Sequence, residues 1–201
     1  MRINYITIER EYGSGGTEIA HRLAKACGIP CYGMEILEAV SKEWNVPIDR
    51  IEKYEENSTG SFLYSMYALS RSGGGESDLL SLEGRVFVEE QKVIQKMAAS
   101  GRAIFLGHCA SEALKYQKDV INIFIRCSDE KAKKERIGKE YGIEESQIDA
   151  TRKRFDKKRS TYYRANTGRQ WASFTGYDIV LDSGRLGIDG CVDVLKNLFN
   201  N

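Results

Sequence analysis

Residues 10–18 read REYGSGGTE. Three glycines, Gly13, Gly15 and Gly16, stand among two hydroxyl side chains, Ser14 and Thr17. Glycine opens backbone angles closed to other residues and lets main-chain N–H groups approach a ligand. A helix starting near Gly16 adds its free first-turn N–H groups and the positive end of its dipole, so the stretch suits an anion. It departs from the phosphate-cradling pattern G-x-x-x-x-G-K-[ST] at two places. Arg10 stands at the first glycine, and Gly16 stands at the lysine. Thr17 falls where that pattern keeps the hydroxyl for Mg²⁺. Gly13, Ser14, Gly15, Gly16 and Thr17 are therefore candidate phosphate-binding residues, with Thr17 the candidate metal ligand. A plain glycine turn closing a strand–helix unit, capped by Ser14 or Thr17, fits the same letters.

A second cluster lies far downstream. Between Arg152 and Arg169 there are eight basic residues and one acid, Asp156, a local charge of +7 in a chain of net charge +1. Arg152, Asp156, Arg159 and Tyr163 are spaced four, three and four, which sets them on one helical face. Arginine forks suit phosphate oxygens. The acid among them could orient the arginines or accept a hydrogen bond from an exocyclic amine or a ribose hydroxyl. A surface ion-pair ladder has the same spacing. Coupled to the glycine loop, the basic helix reads better as a lid closing over phosphates. A third candidate is His108, in AIFLGHCASEAL, where an apolar strand ends at Gly107 and a helix begins. Ligands of open α/β sheets sit at the carboxyl ends of strands, so His108 could face a substrate. A structural histidine in a helix-start turn is the alternative.

The elements that must carry these residues alternate. Residues 3–9, 103–106, 120–125 and 178–181 are short runs rich in Ile, Val, Phe or Leu, and a short extra strand includes Cys31 and Tyr32. Between them fall helical spacings: Ile19, Leu23 and Cys27; Ile36 or Leu37, Val40 and Trp44; Leu79, Leu82, Val86, Val93 and Met97; and Ile188, Val192, Leu195 and Leu198. This alternation predicts a parallel sheet with crossover helices on both faces. Two stretches interrupt it. Residues 57–78 are rich in Ser and Gly around an apolar island, FLYSMYAL, and read as a mobile insert with a short helix. Residues 144–164 form a long basic helical pattern in which Ile148, Phe155 and Tyr162 recur every seven residues. That stripe is too thin for a deeply buried helix, which predicts a position over an edge or a cleft.

The bulk properties narrow the class. At 201 residues, 41% hydrophobic and 29% charged, the chain is long enough for one sizeable core. No run approaches the roughly 18 apolar residues of a membrane span. The strand-like run begins directly after Arg2, which is read as leaving no room for a leader peptide. Five scattered cysteines fit reduced thiols and a cytoplasmic location, with Cys27 and Cys31 as half-buried thiols flanking a turn. No Cys/His cluster has zinc spacing. A nearly neutral chain does not imply nucleic acid. The expected partner is a small anionic molecule, without nucleic acid or membrane, and the sequence leaves the oligomeric state open.

Four blocks, ITIEREYGSGGTEIAHRLA, FLGHCASEAL, DKKRSTYYRANTGRQW and YDIVLDSGRLGIDG, resemble the cytidylate kinase-like family, a bacterial group within the nucleoside monophosphate kinases of the P-loop NTPase superfamily. They run in order over nearly the whole chain. The resemblance implies an α/β, three-layer P-loop nucleotide-kinase fold: a five-stranded parallel sheet, an acceptor-binding insert at about 33–78 and a basic lid at about 144–172 in a single domain. It implies ATP and Mg²⁺ as donor and cofactor, with a cytidylate-type monophosphate as the model acceptor. An aspartate and an arginine three residues later contact the acceptor in true cytidylate kinases, and Asp156 and Arg159 stand in those places. Lid arginines there also embrace the transferring phosphate, a role open here to Arg152, Arg154, Arg159 and Arg164.

The departures define the question. The loop lysine is replaced by Gly16. The D-G-R-D that follows the third strand in true cytidylate kinases is replaced by Leu106, Gly107, His108 and Cys109. Gly33 stands where an acid is expected after Tyr32. Phosphoryl transfer is mostly positioning and charge neutralisation, so another cation must reach the same oxygens. Arg10 and the lid arginines are the candidates. Two functions are compatible with these letters: a small-molecule kinase whose acceptor need not be CMP, and a nucleotide-binding module that no longer catalyses and serves in sensing or regulation.

Overall fold

The computed structural model describes residues 3–51 and 82–199. The expected insert at 57–78 and Leu79 of the helical stripe lie outside them. In chain order the described elements are β1 (Tyr5–Arg10), α1 (Gly16–Cys27), β2 (Cys31–Tyr32), α2 (Met34–Trp44), α3 (Leu82–Ala99), β3 (Ala103–Leu106), α4 (Ala110–Ala113), β4 (Val120–Arg126), α5 (Glu130–Tyr141), α6 (Glu145–Thr167), β5 (Ile179–Asp182) and α7 (Ser183–Phe199), with one 3₁₀ turn at Phe174–Gly176. The strands form one sheet in the order β2-β3-β1-β4-β5, and every pairing is parallel. All five carboxyl ends therefore lie on one side of the molecule.

The strand sequences are apolar on both faces because helices cover both. Ile6 and Ile8 of β1, Ile104 and Leu106 of β3, and Ile123 and Ile125 of β4 pack with Ile19 and Leu23 of α1 and Leu195 and Phe199 of α7. Ala103 and Phe105 point the other way, onto Ile36 of α2, Ile94 and Ala98 of α3, and α4. Phe124, also on that side, joins Phe87, Tyr163 and Trp171. Burying each large aliphatic side chain contributes about 1.5–3 kcal/mol, so the two-sided sheet fixes where the strand ends stand.

The helix ends are set by glycine. Gly28, Gly142 and Gly168 each adopt a left-handed φ one residue beyond α1, α5 and α6. α7 has a break at Gly187, where φ is 69° and ψ is 174°. Its first turn approaches the chain after β4 so closely that a Cβ on Gly184 would lie 2.5 Å from the Asp129 nitrogen. The long basic helix α6 lies over the loop that follows β1, which it meets through Asp156 and Arg159. Ile148, Thr151, Tyr163 and Asn166 are buried along it, and of these the seven-residue stripe held only Ile148.

Candidate phosphate site at the strand ends

β1 ends at Arg10, and the chain turns through Gly13 (φ 75°) and Gly15 (φ 76°) into α1. Both glycines are in the left-handed region, which lets the loop fold back on itself. Ser14 is fully buried at the turn. It accepts from the Gly16 N–H through its hydroxyl, and its carbonyl accepts from the Ser183 hydroxyl at 2.6 Å. Beyond the Ser14 bond to the Gly16 N–H, no side-chain cap holds the first turn of α1. Its first-turn N–H groups, beginning at Thr17, are left facing the mouth of the loop. Arg10, Glu11, Gly13, Gly15, Gly16, Thr17, Glu140, Tyr141 and Arg159 line a narrow cleft of about 10 Å³ there.

The two departures from the phosphate-loop pattern are one spatial exchange. A Cβ on Gly16 would lie 2.6 Å from the Arg10 Cβ and 2.9 Å from its Cγ. The Arg10 stem thus occupies the volume into which a lysine at 16 would have to grow. Its guanidinium runs on to the end of β3, where a Cβ on Gly107 would lie 2.6 Å from Nη1. Arg10 is half-buried, and its Nε is shut off from solvent without a hydrogen-bond partner. Burial, then the neighbouring Arg159, lowers its pKa to about 10, which still leaves it charged at neutral pH. A partly desolvated cation beside a like charge favours an anion.

Three more basic residues converge on the loop from α5 and α6. Arg159 donates to the Arg10 carbonyl at 3.0 Å and lies over the Tyr12 ring. Arg136 donates to the Gly13 carbonyl, and its guanidinium carbon is 3.3 Å from where a Gly15 Cβ would be. Lys133, 4% exposed, pairs with Glu11 at 3.0 Å and Glu130 at 3.3 Å. Tyr12 is sandwiched between Tyr141 and Phe155, with ring centroids 4.9 and 4.7 Å away. Helices α5 and α6 therefore rest on the loop. Sequence reasoning passed over Lys133 and Arg136. Their only signal was the basic run in KAKKER after β4, the strand that pairs with β1.

The expected lid residues separate. Asp156 and Arg159 reach the loop, as their shared face requires. Asp156 does so by accepting from the Tyr12 N–H at 2.7 Å, so its first partner is the loop itself. Arg152 is drawn away to Glu130 at 3.0 Å and Asp149 at 3.7 Å. Arg154 lies against the Phe155 ring. Arg164 is exposed and turned off the Arg159 face. The structure thus brings Arg10 and Arg159 to the loop but not Arg152 or Arg164.

Burial pushes the Asp156 carboxyl above the ordinary range, against the Tyr12 N–H and Arg159. A carboxyl with a raised folded-state pKa contributes stability at low pH that is lost as pH rises through that pKa. Asparagine keeps a carbonyl acceptor for Tyr12. Thermal unfolding against pH should therefore show wild type losing stability relative to Asp156→Asn as Asp156 ionises. A relative gain for wild type would contradict the assignment.

At the end of β3 three consecutive residues take left-handed backbone: Gly107 (φ 79°), His108 (φ 54°) and Cys109 (φ 50°). The two non-glycines cost about 1–2 kcal/mol each. His108 is 13% exposed at its side chain, with Nδ1 3.8 Å from Oε1 of the fully buried Glu90 on α3. The Tyr162 hydroxyl of α6 donates to the other Glu90 oxygen. The acids nearest the loop are engaged elsewhere: Glu9 accepts from the Trp171 indole at 3.1 Å, and Glu11 holds Lys133. Among the described residues no three His, Cys, Asp or Glu side chains group as metal ligands, which leaves Thr17 as what the loop offers a metal. Cys27 and Cys31 are half-buried. Burial and Glu35 push the Cys31 thiol up to about 11, so it is not a reactive thiolate at neutral pH.

A glycine turn at the end of β1 leading into α1, in a five-stranded parallel sheet, is also what the known relatives have to explain. The model of the cytidylate kinase-like family matches residues 5–185. The chain belongs to the cytidylate kinase-like family. No curated protein sequence matches it. Among solved structures it is similar to an uncharacterized protein from Eubacterium ventriosum ATCC 27560, at 23% identity and a TM-score of 0.72, covering 100% of this chain and 99% of that one. It is also similar to shikimate kinase from Bacteroides thetaiotaomicron, at 12% identity and a TM-score of 0.53, covering 98% of each chain. Shikimate kinase from Acinetobacter baumannii follows at 11% and 0.50, covering 99% of this chain and 94% of that one. At these identities the likeness shows the fold alone. Within this cytidylate kinase-like chain no helix among the described residues is long and apolar enough to cross a membrane.

Proposed function

We propose that the protein is an ATP-dependent small-molecule kinase in which Arg10 takes the part of the missing loop lysine. Family membership supports the reaction class, and the path of Arg10 through the volume beside Gly16 carries the reading. The loop glycines and the first turn of α1 would cradle the donor phosphates through main-chain N–H groups. Arg136 lies over that cradle from one side. Arg10 and Arg159 converge between it and the end of β3, where the transferring phosphoryl group would carry charge. With Glu9 and Glu11 engaged, Mg²⁺ would be held by the nucleotide's own phosphates and Thr17. The acceptor belongs beside His108 and the Asp156–Arg159 face.

A thermal-shift titration with ATP and Mg²⁺, followed by ADP release over a panel of acceptors, tests this reading. The expected result is stabilisation by ATP and acceptor-dependent turnover. Stabilisation without transfer to any acceptor would leave a binding module and sink the kinase reading.

A further inference from the structure

We propose that the acceptor is an alcohol, with His108 removing the hydroxyl proton and Glu90 and Tyr162 holding the imidazole for that task. The inference rests on the kinase reading above and adds the chemical class of its substrate. Gly107 joins the phosphate site to this histidine: the Arg10 guanidinium lies against Gly107, and His108 is the next residue. Both stand at the carboxyl end of β3, beside the end of β1, where the Gly107 N–H donates to the Ile8 carbonyl at 3.0 Å.

The arrangement behind His108 is that of an oriented base. Glu90 is fully buried, its Oε2 takes the Tyr162 hydroxyl, and its Oε1 faces His108 Nδ1 at 3.8 Å. A carboxylate on that side favours the tautomer with the proton on Nδ1, which would make Nε2 the nitrogen that takes the substrate proton. The separation is longer than a hydrogen bond, as catalytic pairs often are before substrate binds. The backbone supports a functional placement. His108 and Cys109 both hold left-handed angles where glycine would be relaxed, and such strain concentrates where a side chain must be aimed.

Chemistry selects the substrate class. A phosphate monoester is already largely ionised at neutral pH and needs no base to attack phosphorus. A hydroxyl does. In the step the substrate oxygen attacks the γ-phosphorus of ATP, and its proton passes to His108 Nε2. The new P–O bond forms as the bond to the β–γ bridging oxygen breaks, and ADP leaves with that electron pair.

The test measures transfer from ATP labelled at the γ-phosphate to cytidine, glucose and myo-inositol, and to CMP and AMP, in wild type and His108→Gly. Glycine relaxes at a left-handed φ, and His108→Asn serves as a second variant that tolerates it. Wild type should phosphorylate an alcohol. His108→Gly should lose about 100- to 10,000-fold of that rate, and added imidazole should restore part of it. A loss that imidazole does not restore would assign His108 to structure and overturn the proposal. Transfer to CMP or AMP that His108→Gly leaves unchanged would overturn it while the kinase reading stands. Absence of transfer to every acceptor, water included, would overturn both.

Discussion

Gly16→Lys alone should disable the phosphate loop, and adding Arg10→Gly should bring it back. Gly16 does not have a left-handed φ, so its backbone accepts a side chain. The obstacle is Arg10, whose Cβ and Cγ stand 2.6 and 2.9 Å from the new Cβ. Those atoms are tied to the β1 backbone and cannot swing aside as a side-chain tip can. Overpacking of this kind costs about 1–3 kcal/mol, and it would also dislodge the Arg10 guanidinium. Arg10→Gly alone removes that cation. If Arg10 serves the transferring phosphate, turnover should fall about 100- to 1000-fold, the usual loss for one preorganised charge-stabilising donor. Together the substitutions vacate the stem volume and refill it with a lysine on the first turn of α1. The double variant should then be more active than either single one, with a coupling of about 1–3 kcal/mol between the sites. Isothermal titration with ATP and steady-state turnover of the four proteins measure it. Losses that simply add would show that positions 10 and 16 are independent, and that the missing lysine has no replacement in Arg10.

Why this exchange could not be read fully from the letters is a matter of distance. The glycine pattern and Arg10 are local and were legible, as were the strands: β3 falls at 103–106 as expected, and β1, β4 and β5 differ from expectation by one or two residues at their ends. Alternation of apolar runs and helical spacings fixed the parallel sheet, because a buried two-sided strand and an amphipathic helix have different periods. That Arg10 and Gly16 share one volume depends on how the loop folds back, and no spacing rule reports it. Glu90 and His108 meet because α3 crosses the sheet to deliver one while β3 delivers the other. Glu90 looked like any polar residue in a helical stripe. Arg152 is a different case: it shares that helical face, but its guanidinium pairs with Glu130 and Asp149.

The remaining large effect separates two of the arginines gathered at the loop. Arg136 lies over Gly13 and Gly15, where the donor phosphates would sit, whereas Arg159 lies over Arg10 and Tyr12, towards the end of β3. Arg136→Ala should therefore weaken equilibrium ATP binding by about tenfold or more, the worth of one charge-assisted hydrogen bond of about 1.5–3 kcal/mol. Arg159→Ala should act mainly on the acceptor, raising its KM while leaving ATP binding nearly unchanged. One observation sharpens the contrast. Arg159 is a like charge that lowers the Arg10 pKa, so its removal takes away a competitor as well as a ligand. Arg10 would then hold its anion against less repulsion, which compensates on the donor side but not on the acceptor side, where Arg159 has no substitute among the arginines the loop gathers. Calorimetry with ATP and acceptor-dependent turnover, run on both variants, give the two readouts. If each variant lost ATP affinity and acceptor affinity to the same degree, Arg136, Arg159 and Arg10 would be one undivided cluster, and the loop would have no separate donor and acceptor sides.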